Sequence, residues 1–185
     1  MDNEIKVKEI LDELDALSVS DSVKKAIGEM AMFLKYLKMR EERGLPSSNG
    51  YCYHYIFQNG SDEEITAVAQ ILARLYKHYG ILKEDRVTAV TKSDLVVESI
   101  GQSTVKTRNV IKDALGGILL VKNAGELDRC KVFEEEVINT VYCDMETYRG
   151  EFFVILAGEE NSITNMLLCN DGLRIRIDKY VNFGK

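Results

Sequence analysis

The residues able to do chemistry are few, and their spacing limits what that chemistry is. Cys52, Cys130, Cys143 and Cys169 are too far apart in sequence for a CxxC metal or redox pair. They are expected to be reduced thiols, mostly in the core or partly buried. His54 and His78 are likewise distant and carry no HExxH spacing, so no zinc or other metal site is expected. The densest polar cluster follows the turn Gln58-Asn59-Gly60, where Ser61 precedes Asp62, Glu63 and Glu64. Ser61 and Glu64 have the spacing of a capping box, and the acids complement the positive end of a helix starting there. A second polar stretch, Asn170-Asp171-Gly172-Leu173-Arg174-Ile175-Arg176, carries two arginines.

The elements that hold these residues are those of one domain spanning 1–185, long enough to bury a core without staples. Hydrophobic residues make up 45% and charged residues 29%, as in soluble globular proteins. The net charge is −6 and the pI about 5.1, so nucleic acid and anionic membranes would repel the chain. No apolar run is long enough to span a bilayer, and MDNEIKVKEIL does not have the pattern of a signal peptide. Cytoplasm is the expected location.

Periodicity predicts a helix over 4–17, with Ile10, Leu11, Leu14 and Leu17 on one face. A second helix starts at Ser20 or Asp21 and runs to about Arg43, with Val23, Ile27, Met30, Leu34 and Leu37 inward. Gly44 ends it, and 45–50 is a polar loop. These first 45 residues read as a helical extension of a core over 50–185. Strands are predicted at 53–57, 86–90, 118–121, 152–157 and 179–183. Helices are predicted at 61–79, 104–115, 131–148 and 161–169, with 94–100 a short helix or loop. In the helix over 104–115, Val105, Val110, Ile111 and Leu115 are expected inward. ILLV and FFVILA are apolar throughout, which implies a parallel sheet covered by helices on both faces: a doubly wound, three-layer α/β domain.

Several segments together resemble a known family. DSVKKAIGEMAMFLKYLKMREERGLPSS, AVAQILARLYKHYGIL, SIGQSTVKTRNVIKDALGGILLV, FFVILAGEENSI and NDGLRIRI resemble AAA+ ATPases of the stage V sporulation protein K and red-type rubisco activase group. The resemblance runs from about Asp21 to Phe183 and implies a P-loop NTPase-like core with strand order 5-1-4-3-2. The family's helical lid follows the fifth strand, so it is expected to be absent here.

The resemblance also implies where nucleotide chemistry would sit. The family's GNPGTGKT phosphate loop corresponds to Asn59-Gly60-Ser61-Asp62-Glu63-Glu64-Ile65-Thr66. Asn59, Asp62 and Glu64 stand where it has glycines, Ile65 where it has lysine, and Thr66 keeps the magnesium-ligand position. The family's Asp-Glu pair after the third strand corresponds to Lys122-Asn123, and Lys122 is expected to pair with Asp62 or Glu64. The pore-loop triplet corresponds to Ser99-Ile100-Gly101, without the aromatic grip. Arg174 and Arg176 match arginines that in the family reach a neighbouring subunit's nucleotide site. A phosphate loop needs glycines, free amides and a lysine, and this slot offers carboxylates instead.

The expected function is therefore a catalytically inactive, pseudo-ATPase module that binds a protein partner or regulates an assembly, with no cofactor. The partner would be an intact AAA+ paralogue or a second copy. The alternatives are a subunit that binds ATP and magnesium weakly, and a decayed duplicate with no role of its own.

Overall fold

Ile118–Val121 and Phe153–Gly158 offer almost no polar side chain to water, and helices cover both faces of the sheet they form. The computed structural model describes residues 2–46, 53–127 and 130–184. In chain order the elements are α1 (Asp2–Ala16), α2 (Asp21–Glu42), β1 (Tyr55–Gln58), α3 (Asp62–His78), β2 (Val87–Val90), α4 (Lys92–Leu95) and α5 (Gln102–Ala114). There follow β3 (Ile118–Val121), a 3-10 turn (Ala124–Glu126), α6 (Val132–Thr147), β4 (Phe153–Gly158), α7 (Glu160–Leu168), α8 (Asp171–Arg174) and β5 (Lys179–Asn182).

The sheet order is β2-β3-β4-β1-β5 and every pairing is parallel. This is the order expected from the resemblance. Alternation sends Tyr55, Phe57, Phe153, Ile155 and Ala157 to one face, where α1, α2 and α3 cover them. Ile56, Leu119, Val121, Val154 and Leu156 point to the other, under α5, α6 and α7.

Helix ends follow local chemistry. At the end of α2, Leu45 N–H donates to Arg40 C=O and Gly44 N–H to Glu41 C=O, with Gly44 at φ 71°. That is a Schellman motif, and the positive φ favours glycine. Ser61 caps α3 as its spacing predicts.

Some expectations are corrected. α5 begins at Gln102 and buries Ser103, Thr107, Ile111 and Ala114, so Val105 points to solvent. A serine and a threonine, both bonded to the chain before α5, take the inward face instead. Cys130, Cys143 and Cys169 are exposed rather than buried. Cys143 falls off the stripe Val137, Ile138, Val141 and Met145 that α6 buries, and Cys169 sits past the end of α7. Cys52 and most of the loop at 45–50 lie outside the described residues. Among the described residues no helix is long and apolar enough to cross a membrane.

Candidate functional site

The parallel sheet gathers the ends of its strands along one edge, where a loop leads each strand into the next helix. At the end of β1, Asn59 adopts φ 60°, a conformation asparagine tolerates. Its Oδ1 accepts the Glu160 N–H at 3.0 Å, and its Nδ2 donates to Glu160 Oε2 at 3.1 Å and to Asn182 Oδ1 at 3.2 Å. Asn182 Nδ2 also donates to Glu160 Oε2 at 3.2 Å. One amide thus ties together the ends of β1 and β5 and the start of α7.

The start of α3 is closed on itself. Ser61 Oγ accepts the Glu64 N–H at 3.3 Å, and Glu64 Oε2 accepts the Ser61 N–H at 2.9 Å. Thr66 Oγ1 donates to Asp62 C=O at 2.7 Å, one turn back on its own helix. Ile65 is buried with Phe57, Val181 and Phe183 in the core. A β-carbon at Gly60 would lie 2.8 Å from Ile65 Cγ1 and 2.9 Å from Phe183 Cγ, so glycine is required there by crowding rather than by φ.

Lys122 extends from the end of β3 toward this helix. Its Nζ lies 3.2 Å from Asp62 Oδ2, with the lysine side chain 19% exposed and the aspartate 70%. Of the two partners expected for Lys122, it is Asp62, because Glu64 is turned back to Ser61. Asn123 follows at φ 50° and begins the 3-10 turn. A cavity of about 280 Å³ remains, lined by Asn59, Asp62, Ile65, Lys122, Asn123 and Glu159 among others.

Comparison with known proteins finds relatives over nearly the whole chain. The chain is 32% identical over 181 residues to the chloroplastic ribulose bisphosphate carboxylase/oxygenase activase of Cyanidioschyzon merolae, covering 96% of this chain and 61% of that protein. It is 33% identical over 179 residues to stage V sporulation protein K of Bacillus subtilis, covering 96% and 55%. For protein CbbX of Cereibacter sphaeroides the identity is 32% over 180 residues, covering 95% and 58%.

The chain has the fold of the AAA+ ATPases, and its sequence is similar to members of that family over most of its length.

No family model matches it. The chain spans a little over half the length of these relatives. In this AAA+ core, Asn59, Asp62, Ile65, Lys122 and Asn123 meet around one cavity, while Glu64 and Thr66 are engaged with their own helix. Ser99-Ile100-Gly101 lies elsewhere, at the start of α5. Gly101 is its N-cap at φ 77° and donates its N–H to Glu136 Oε1 at 2.8 Å, and Ile100 is 83% exposed.

The two arginines have different environments. Arg176 sits 5.4 Å over the Tyr142 ring, donates to Gly172 C=O at 2.7 Å and lies 3.0 Å from Glu146 Oε1. Its charge is directed into its own chain. Arg174 is half exposed and pairs with Asp171 one turn away at 2.7 Å. Among the described residues no His, Cys, Asp and Glu side chains group as a metal site. Sequence reasoning missed Glu159, Glu160, Asn182 and Phe183. The signal for them was available, because β1 lies between β4 and β5 and their ends must meet.

Proposed function

We propose that this AAA+ core does not hydrolyse ATP and acts as a protein-interaction or regulatory module. The observation that carries the reading is that the chain's own groups take the positions a magnesium polyphosphate would need. Such a ligand needs free amides, a lysine for the outer phosphates and a carboxylate for the metal. Here the Glu64 amide is bonded to Ser61, Ile65 is in the core, Thr66 is bonded to backbone and Lys122 is paired with Asp62. Asn123 supplies neither a metal carboxylate nor a strong base. Asp62 and Glu63 add negative charge where phosphate would approach. These groups do not suit the nucleotide.

Isothermal titration with magnesium-ATP and with magnesium-ADP tests the reading. The expected result is no binding heat at sub-millimolar ligand and no phosphate release. Ile65→Lys alone should not restore binding, because the glycines and the metal carboxylate remain missing. A thermal shift with magnesium-ATP would refute the reading. A second reading, weak ATP binding by an ATPase subunit, draws on the 280 Å³ cavity beside Lys122, whose partner Asp62 is largely in water and cheaply released. The same titration decides between them.

The proposed partner is an intact AAA+ paralogue, with Arg174 as the residue that reaches it. Arg174 is half exposed and held by one exposed contact, whereas Arg176 is engaged at home. Mixing the chain with the paralogue should change the paralogue's ATPase rate, and Arg174→Ala should remove that change. No complex and no change in rate would sink the proposal.

A further inference from the structure

The chain from α4 to the first turns of α5 is bonded mostly to itself. Ser103 Oγ donates to Val97 C=O at 3.0 Å and accepts the Val97 N–H at 2.9 Å. Lys106 Nζ donates to Ser93 C=O at 2.8 Å, and Gln102 N–H donates to Ser99 C=O at 3.1 Å. The roots of this segment are fixed. Leu95 and Ile111 are fully buried. Two ion pairs hold the same roots to α6, Lys92 with the buried Glu134 and Arg108 with the buried Asp144, the second at 3.6 Å. The tip differs. Residues 98–102 are all exposed, Ile100 most of all. Among the described residues one hydrogen bond ties that tip to another element, from Gly101 N–H to Glu136 Oε1 on α6 at 2.8 Å.

We propose that Glu136 is a latch: it holds the loop 97–101 and the first turn of α5 against α6, and this unit opens and closes while the sheet stays folded. Two effects oppose each other at Glu136. The residue at the N-cap of α5 is Gly101, which has no side chain to cap with. Glu136 brings a carboxylate to that helix end from a different element. The dipole attracts it, and a bond from an amide to a carboxylate is stronger than one to a neutral acceptor. These favour the closed position. Glu136 Oε2, however, is buried and meets no hydrogen-bond donor among the described residues. A buried oxygen without a partner costs free energy, which opening to water returns. The latch is therefore near balance. Ser103 joins Val97 by two bonds, so the loop and the turn after it move as one piece. The tip contributes no buried side chain, so little apolar surface resists its opening. The state of the latch decides where Ile100 is presented. This inference does not depend on the nucleotide reading.

Native-state hydrogen exchange on the full chain tests it, read by mass spectrometry in urea below the unfolding transition. In the parent, amides of 97–105 should exchange at least about a hundredfold faster than those of β3 and β4, because a local opening costs less than global unfolding. Their rate should hardly change with urea, because a small opening exposes little surface. Glu136→Ala should speed exchange of 97–105 at least about tenfold through loss of the charge-assisted bond, with β3 and β4 changed by less than about twofold. Glu136→Gln keeps an oxygen that accepts the Gly101 N–H and should stay within about threefold of the parent. Exchange of 97–105 with the urea dependence of β3 overturns the proposal, since the loop then opens only when the whole protein does. An unchanged rate in Glu136→Ala also overturns it. So does faster exchange in every segment alike, or failure of Glu136→Ala to fold, since Glu136 would then hold the core rather than the loop.

Discussion

His54 Nδ1 accepts the backbone N–H of Val154 at 2.9 Å, so an imidazole serves as a hydrogen-bond acceptor where β4 meets the residue before β1. This requires the neutral ring. Burial lowers the His54 pKa to about 4, against the attraction of Asp178 and with help from Lys179 and Arg176. The ordinary value of 6.5 holds in the unfolded chain, which therefore binds more protons between pH 6.5 and 4. Stability should be fully present above 6.5 and fall as pH drops through that window, by up to about 3 kcal/mol. Urea denaturation across this range measures the slope. In His54→Gln, which can still accept the bond, the slope should lose close to one proton. An unchanged slope would mean that other groups dominate.

Ser61→Ala should destabilise the protein by about 1 kcal/mol, the usual cost of losing an N-cap oxygen. The structural basis is the reciprocal pair between Ser61 and Glu64. Glu64→Gln keeps an acceptor for the Ser61 N–H and should cost less. Chemical denaturation of the two variants checks the order, and the reverse order would show that the charge matters more than the cap.

Gly60→Ala should cost about 1–3 kcal/mol through overpacking, because the added carbon meets Ile65 and Phe183 below 3.0 Å. The double variant Gly60→Ala with Phe183→Leu should recover part of the loss if the ring is the obstacle. Differential scanning calorimetry on the single and double variants decides this.

The two arginines should separate in stability as they do in structure. Arg174→Ala removes one exposed ion pair and should stay within about 0.5 kcal/mol of the parent. Arg176→Ala removes packing over Tyr142 and the bond to Gly172 C=O, and should cost about 1–2 kcal/mol. Thermal melts of both variants test the difference. Equal effects would mean that Arg176 is not anchored in its own chain.

Much of the fold was legible because its signals are local. Unbroken apolar strands require cover on both faces, and the three-residue spacing of Ser61 and Glu64 can close a cap without help from the rest of the chain. The stripe of α2 from Val23 to Leu37 fixed its inner face through helical periodicity alone. The strand order came from resemblance to the AAA+ family, since local periodicity does not choose neighbours.

The tertiary structure decided what depends on distant packing. Only the sheet brings Lys122 to Asp62, 60 positions away, and only the competing bond to Ser61 removes Glu64 from that choice. Only β5 lying beside β1 brings Phe183 against Gly60 and Asn182 against Asn59. Val105 faces water because Ser103 and Thr107, both bonded to the preceding chain, take the inward face of α5. The sequence by itself determined which segments are helix or strand, because hydrogen bonding and side-chain periodicity act over a few residues. The tertiary structure determined which charges meet and which arginine stays at home, because Coulomb and packing energies depend on separation in space.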